Sequence, residues 1–170
     1  MYLEYLILIF DYFKTISKKN FLFEVITPLI LGIGIACVFY FYPSWLNTSR
    51  FVDNSINIIG VLLGFTLAIV TFFVASDNSN IEKTKNYFTE YYIGTRKVSL
   101  YRLLIINYSY LIIIEAFICI GFLIGGLFYF SLPFVFQILM KGIYIILVLH
   151  VFLLTIRSIT DLYLVLTKED

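Results

Sequence analysis

The sequence predicts an all-α integral membrane protein with four transmembrane helices, and three observations support this fold class. Of the 170 residues, 61% are hydrophobic and only 14% are charged, whereas an ordinary soluble domain is about 45–50% apolar and about 25% charged. Four apolar runs reach the length of about 20 residues that a helix needs to cross a bilayer. Basic residues are concentrated in alternate connections between these runs. A small soluble domain could not bury so much apolar surface, so the soluble classes are excluded.

The predicted spans cover residues 21–42, 56–75 and 103–130, followed by a fourth run that begins after Ser131 and Pro133 and ends at Ile156. Pro43 and Trp45 close the first of these runs. Proline suits the first turn of a helix, so the third and fourth spans are expected to form a tight antiparallel hairpin. The two cysteines, Cys37 and Cys119, lie inside apolar runs, which predicts buried thiols rather than a disulfide framework.

The distribution of lysine and arginine predicts the orientation. Of the 12 basic residues, ten lie in the N-terminal stretch, in the connection between spans two and three, and in the C-terminal tail, where Lys168 is the last. Arg50 alone lies in an opposite connection, and Lys141 lies inside span four. Since cytoplasmic loops carry the excess of basic residues, both termini are predicted to be cytoplasmic. The resulting organisation is an interfacial helix (1–20), two spans (21–75), a cytoplasmic loop (76–102), a transmembrane hairpin (103–156) and a cytoplasmic tail (157–170).

Two short helices are predicted outside the spans. Asp11 and Thr15 fall near one face of the N-terminal stretch, which is typical of an amphipathic helix lying in the membrane interface. In the middle loop, Ser79 and Glu82 form a capping-box pattern and Gly94 is a suitable stop, which predicts a helix over residues 80–93.

The same loop is both basic and aromatic. Its cationic residues are Lys83, Lys85, Arg96, Lys97 and Arg102, and they are interleaved with tyrosines. One interpretation is a helix lying against the membrane, with the lysines near lipid phosphates. The other is a docking surface for a cytosolic regulatory protein or for an anionic nucleotide or oligonucleotide, because aromatic and basic side chains together stack on bases and contact phosphates.

The residues that enzymes use are scarce. The chain has a single histidine and no paired carboxylates at a helical spacing inside the membrane. It also has no glycine-rich phosphate loop after a strand and no His or Cys cluster with metal-ligand spacing. We therefore predict a protein that is not an enzyme, with no catalytic residues, no metal and no cofactor.

A few polar residues fall inside the predicted spans, where each needs a partner because a buried charge is costly. With the hairpin turn between Ser131 and Leu132, Glu115 lies two residues from the level of His150, roughly 3 Å along the axis. The two are therefore predicted to pair. Glu24 lies only three residues inside the first predicted span and is expected to reach the interface.

Lys141 lies nine residues from His150, so the two point to opposite faces of span four. If His150 faces span three, then Gln137, Lys141 and Tyr144 form a stripe that faces away from it. We expect this stripe to line an aqueous path or a seam between subunits. The alternative is that Lys141 snorkels to the outer interface.

Small residues recur at a spacing of four on two of the spans. Gly60 and Gly64 do so on span two, and Gly121 and Gly125 on span three. This spacing lets helix backbones approach closely in lipid, either within one chain or between copies.

Together these features favour a homo-oligomeric pore, with a tetramer preferred, that is opened from the cytoplasmic side. Four short helices rarely enclose a water path alone, and symmetric rings turn one polar residue per chain into a ring. The alternatives are a small proton-coupled transporter that uses Glu115, a non-catalytic anchor that recruits a cytosolic partner, and a phage holin-like protein.

Three features carry a resemblance: the size of the chain, its four spans with cytoplasmic ends, and its second helix, which runs from Asn57 through Gly60 and Gly64 to Ser76. In these features the chain resembles the small four-helix membrane effectors of bacterial anti-phage defence systems. Examples are the HalB-like component of Hailong and the KwaA-like component of Kiwa. The resemblance is one of architecture and carries over no functional residue. It implies a membrane-disrupting effector of the bacterial cytoplasmic membrane, held closed by a cytosolic partner or a nucleotide-type signal and opened during infection. The high content of Ile, Asn, Lys, Tyr and Phe also suits an AT-rich bacterial or phage gene.

Overall fold

The computed structural model describes residues 4–42, 48–75, 79–128 and 133–167. Within these ranges four helices are long and apolar enough to cross a membrane: Lys18–Phe41, Asp53–Ala75, Leu100–Gly125 and Phe134–Thr167. We refer to them as the first to fourth spans. Each overlaps one of the predicted runs, so the prediction of a multi-pass helical membrane protein is confirmed. The predicted turn between Ser131 and Leu132, the residues Pro43, Trp45 and Lys168, and the side chain of Arg50 lie outside what the structure describes.

The elements follow in the order α1 (Glu4–Thr15), α2 (Lys18–Phe21), a π-helical turn (Leu22–Ile26), α3 (Thr27–Phe41), α4 (Thr48–Ala75), α5 (Ser79–Asn86), β1 (Phe88–Ile93), β2 (Arg96–Ser99), α6 (Leu100–Phe128) and α7 (Phe134–Thr167). The first span is therefore a composite of α2, the π turn and α3. The chain divides into two compact units. The first unit comprises Met1–Ser17, Gly64–Ile113 and Leu154–Asp170, and the second comprises Lys18–Leu63 and Ile114–Leu153.

A proline accounts for the irregular start of the first span. In the π turn the backbone N–H of Thr27 donates to the carbonyl of Leu22, and the Thr27 hydroxyl donates to the same oxygen at 3.2 Å. The next residue, Pro28, has no N–H and cannot continue the regular α-helical ladder through this turn. A helix absorbs such a break by widening locally, and π turns of this kind are frequent at functional positions.

The connection between the second and third spans differs from the prediction. A helix does begin at Ser79, but it ends at Asn86, and an antiparallel hairpin of β1 and β2 follows it. The prediction of one helix over residues 80–93 is therefore wrong beyond residue 86, and the fold is all-α except for this hairpin. The stretch after Asn86 is rich in aromatic and β-branched residues, which favour strands. Gly94, predicted as a helix stop, is the first residue of the hairpin turn and has a φ of 62°, as a type II′ turn requires.

The fourth span is longer than predicted. The helix α7 continues to Thr167, so the predicted cytoplasmic tail from residue 157 is helical through its described part. Two interactions support this extension. Arg157 lies 3.8 Å from Asp161, one helical turn on, and the carbonyl of Ser158 accepts a hydrogen bond from the hydroxyl of Tyr108 at 2.6 Å.

The first unit has its own apolar core. Its buried residues are Ile69, Phe73, Ile81, Leu104 and Tyr108, and Leu162 and Val165 of α7 pack against them. Helix α5 therefore joins this core through Ile81, although its composition is otherwise polar. Asn80, its neighbour in sequence, donates from its side-chain amide to the carbonyl of Leu166 at 3.1 Å. This hydrogen bond and the packing of Ile81 hold α5 against the end of α7.

Helix α1 exists as predicted, but its faces are arranged in an unexpected way. Asp11, Tyr12 and Thr15 are buried, and the ring of Tyr12 stacks on the ring of Tyr110 with centroids 3.8 Å apart. The side of α1 that points outward is apolar, with Ile7 58% exposed and Phe10 62% exposed. The polar face is therefore turned towards the protein, and the outward face is suited to lipid.

The two cysteines are free thiols, in agreement with the prediction that they form no disulfide. Their burial differs from the prediction. Cys37 is exposed on α3 and Cys119 is half-buried on α6. In a helix that crosses a membrane, an exposed thiol contacts lipid or a neighbouring chain, so the apolar run around Cys37 reflects contact with lipid and not a position in the protein core.

Candidate functional site

The predicted intramembrane pair lies in the second unit. Glu115 is fully buried and His150 is 8% exposed. The hydroxyl of Tyr144 donates to the carbonyl of Gly121 at 2.8 Å, which sets the register of the antiparallel helices α6 and α7. Glu115 and His150 are each six residues away from this bond along their helices. They therefore lie at the same level, and direct contact between their side chains stays a prediction.

Glu24 does not reach the interface, contrary to the prediction. It is only 1% exposed and lies in the π turn of the first span. Its backbone carbonyl forms a hydrogen bond to Nδ1 of His150 at 2.6 Å. In a regular α-helix that carbonyl would accept from the N–H of residue 28, and residue 28 is a proline. The imidazole therefore supplies the donor that Pro28 cannot supply.

The acceptor in this bond determines the tautomer of His150. A carbonyl oxygen only accepts hydrogen bonds, so Nδ1 of the imidazole is the donor whenever the bond is formed. The other ring nitrogen, Nε2, is then the atom that gains or loses a proton. The signal that could have revealed this contact in the sequence is the spacing of four residues between Glu24 and Pro28, because such a proline removes the usual N–H donor of one identifiable carbonyl inside a span.

The side chains of Lys141 and Tyr144 both interact with residues of the same chain. Lys141 is 7% exposed, and its Nζ lies 5.8 Å from the ring centroid of Phe39 on α3. An ammonium group over an aromatic face gains a cation–π interaction. Tyr144 is buried and faces α6 through its hydrogen bond to Gly121, whereas it was expected to face away from the third span. Gln137 is half-buried.

The predicted glycine pairs differ in their surroundings. A methyl group added at Gly60, Gly64 or Gly121 would meet open space, whereas one added at Gly125 would overlap the hydroxyl of Tyr144. Two further glycines, which the sequence pattern did not single out, lie where α3 and α7 approach each other. A methyl group at Gly32 would overlap Ile146, and one at Gly142 would lie 3.0 Å from Cβ of Ala36. Helices α3 and α7 therefore approach each other closely at Gly32 and Gly142.

Helix α4 presents an unusual outer face for a membrane helix. One strip of exposed residues, spaced three and four apart, is small or polar: Asp53, Asn57, Gly60, Gly64, Ala68, Thr71 and Ala75. This spacing puts them on one face, which we call the small-polar face. The opposite side of α4 carries the buried Ser55, Ile59, Thr66, Ile69 and Phe73. Large apolar residues such as Val61, Phe65 and Phe72 are exposed beside this face. Small residues at this spacing are typical of close helix–helix contacts in lipid.

The predicted cationic surface lies in the first unit. Lys83 and Lys85 are on α5, Arg96 and Lys97 are on β2, and Arg102 is in the first turn of α6; all five are exposed. Large aromatic residues are exposed beside them: Tyr87, Phe88 and Tyr92. Tyr92 pairs with Lys97 across the hairpin, and Nζ of Lys85 lies 5.5 Å from the ring centroid of Tyr101. Aromatic and cationic groups therefore meet across the hairpin and between α5 and α6, and the predicted cationic residues are divided between α5, the hairpin and the start of α6.

Within the described ranges, no three His, Cys, Asp or Glu side chains come together in a way that could hold a metal ion. The chain matches no protein-family model, and neither a curated protein nor a solved structure is detectably similar to it.

Proposed function

We propose that the chain is a subunit of a homo-oligomeric membrane pore. The observation that carries this proposal is the small-polar face of α4, which is exposed on a helix of the length and hydropathy of a membrane span. The side-chain amide of Asn57 gains little from lipid, whereas water or a neighbouring helix satisfies its hydrogen-bonding groups. A ring of copies with this face directed inward provides both.

The mouth of such a pore would carry a ring of carboxylates. Asp53 lies at the first residue of the second span and on the small-polar face. One carboxylate per subunit at a pore mouth attracts cations and repels anions. The proposed pore is therefore cation-selective. The sequence-based proposal for the lining, Gln137, Lys141 and Tyr144, becomes the second choice, because Phe39 and Gly121 contact two of these side chains within one chain.

We further propose that the pore is controlled through the cationic and aromatic surface on α5 and the hairpin. On the orientation that the basic residues predict, this surface is cytoplasmic. Its chemistry suits an anionic partner, either a nucleotide-type ligand or an acidic protein surface. The architectural resemblance to anti-phage effectors supports a membrane-disrupting effector of the bacterial cytoplasmic membrane that opens on a cytosolic signal.

Reconstitution into liposomes tests the proposal directly. Purified protein should release a small entrapped dye and give cation-selective single-channel currents, and Asn57→Leu should reduce both. The matched control is Val74→Leu, an exposed position on another side of α4, which should behave like the parent. If the liposomes release no dye at any protein-to-lipid ratio, with or without added cytosolic extract, the proposal of a pore is contradicted.

A further inference from the structure

The second unit contains an imidazole whose two nitrogens have different roles. His150 is the only histidine of the chain, and it is almost fully buried. Its Nδ1–H donates to the main-chain carbonyl of Glu24 at 2.6 Å. Because this acceptor is a main-chain atom, its capacity to accept does not change with pH. The ring is therefore held with hydrogen on Nδ1 in both its neutral and its charged form.

Pro28 makes this arrangement specific to one carbonyl. A backbone carbonyl inside an apolar helix normally accepts from the N–H four residues on, and it then competes poorly for other donors. At Glu24 that position is proline, which has no N–H to donate, and the carbonyl accepts from the imidazole of His150. The π turn, which includes Glu24, is the local distortion that accompanies the proline.

A carboxyl group on α6 lies at the same level as His150 on α7. Glu115 is fully buried on α6 and has the same axial level as His150 on α7. A buried carboxylate without its hydrating water is costly, and a protonated or hydrogen-bonded carboxyl lowers that cost. The lone pair of Nε2 is the complementary acceptor for such a proton. One shared proton makes the carboxyl–imidazole pair neutral overall, in either the uncharged or the ion-paired form.

The other ionisable groups near this pair occupy separate positions. In the described part of the second unit, the buried or half-buried ionisable side chains besides Glu24, Glu115 and His150 are Cys119, Lys141 and Tyr144. Cys119 is one turn from Glu115 on α6, and Tyr144 is bonded to Gly121. Lys141 is nine residues from His150 on the same helix, about 13.5 Å along its axis. On α4, Asp53 is exposed at the start of the second span.

We propose that the carboxyl of Glu115 and Nε2 of His150 form a proton-binding site inside the membrane-spanning part of the chain, with the imidazole held in one tautomer by its hydrogen bond to the main-chain carbonyl of Glu24. The ligand is a proton taken from water. In the empty site Glu115 is a carboxylate and Nε2 keeps its lone pair. Binding forms one O–H or N–H bond, breaks no bond within the protein, and removes one negative charge from the interior. The site does not depend on the proposed pore.

The single histidine makes the site directly measurable. Nitrogen NMR of the full chain in lipid nanodiscs, labelled only at histidine, reports the protonation of both ring nitrogens of one residue. We expect the neutral ring to carry its hydrogen on Nδ1, with a population at least about fivefold above the other tautomer, the ratio that a net hydrogen bond of about 1 kcal/mol gives. Predominance of the Nε2–H tautomer in the unaltered protein would overturn the proposal without any variant.

Two variants test the partners. In Pro28→Ala the restored N–H competes for the Glu24 carbonyl, so the excess of the Nδ1–H tautomer should fall severalfold, whereas Pro133→Ala should leave it unchanged. In Glu115→Gln the pH at which Nε2 titrates should move, and the infrared band of a protonated carboxyl that titrates with it in the parent should disappear. Glu82→Gln, at an exposed carboxyl on α5, is the control. An unmoved Nε2 titration in a folded Glu115→Gln chain would show that Glu115 is not part of the site.

Discussion

The hydroxyl of Tyr108 donates a hydrogen bond to the main-chain carbonyl of Ser158 at 2.6 Å, and this contact joins α6 to the extended end of α7. Tyr108 is almost fully buried, so the bond has no competition from water. Tyr108→Phe should lower the free energy of unfolding by about 0.5–1.5 kcal/mol, the usual net value of such a bond. Denaturant titration in mixed micelles measures the change. Tyr163→Phe, at an exposed ring, should show none.

The close contact between α3 and α7 predicts a second loss of stability. A side chain at Gly32 would overlap Ile146, and overpacking of this kind typically costs about 1–3 kcal/mol. Gly32→Val should therefore destabilise the chain, while Gly34→Val, two residues on in open space, should be tolerated. Equal unfolding midpoints for the two variants would mean that this helix contact does not exist in the membrane.

Assembly through α4 predicts a different glycine effect. Gly64 is exposed with open space around it, so Gly64→Leu should fold normally but block close approach of a second copy. Native mass measurement and chemical cross-linking in detergent should then show loss of the oligomer. Gly34→Leu provides a matched exposed glycine on α3. If the oligomer persists in Gly64→Leu and is lost in Gly34→Leu, the seam lies on α3 instead.

Ion selectivity separates the two proposed linings. If the small-polar face lines the pore, Asp53→Asn should reduce the preference for cations over anions, because one carboxylate per subunit is removed. Lys141→Met should leave that preference unchanged, since the ammonium is already covered by Phe39. The opposite pattern in reversal-potential measurements, including a changed selectivity for Lys141→Glu, would favour the lining of Gln137, Lys141 and Tyr144.

The cationic surface predicts a charge-dependent interaction. Replacing Arg96 and Lys97 together with glutamate should weaken binding to anionic ligands, and the loss should be largest at low salt. Fluorescence anisotropy with a short labelled oligonucleotide, and conductance in the presence of cytosol, measure the two proposed roles. The paired control is Lys18 and Lys19 to glutamate, because these exposed lysines lie on α2. Equal losses in both double variants would indicate general electrostatics rather than a docking surface.

Hydropathy predicted the spans because a long apolar run has few alternatives in a membrane protein. The hairpin was missed because the capping pattern at Ser79 and Glu82 is local, and it signals where a helix begins but not where it ends. The strand propensity of residues 88–93 was the competing signal. For α7, Arg157 was assigned to the tail because the apolar run ends at Ile156, whereas its spacing of four from Asp161 lets the two side chains interact along a continuing helix.

Only part of the candidate site could be predicted from the sequence. Burial of Glu115 and His150 followed from their position in apolar helices, and helical rise alone brought them to similar levels. The role of Glu24 did not follow, because it depends on the backbone distortion at Pro28 and on a contact between residues far apart in sequence. The orientation of α4 depends on which of its faces the other helices cover, and periodicity alone does not determine this.

The stacking of Tyr12 on Tyr110 has a consequence for biosynthesis. Helix α1 leaves the ribosome before α6, and its docking partner Tyr110 is made about a hundred residues later. Until α6 has been made, no protein surface covers Asp11 and Thr15. Helix α1 therefore lies at the membrane surface, with its polar side in water and its apolar side on lipid. Docking of α1 therefore requires the third span, and a nascent chain halted before that span leaves this helix undocked.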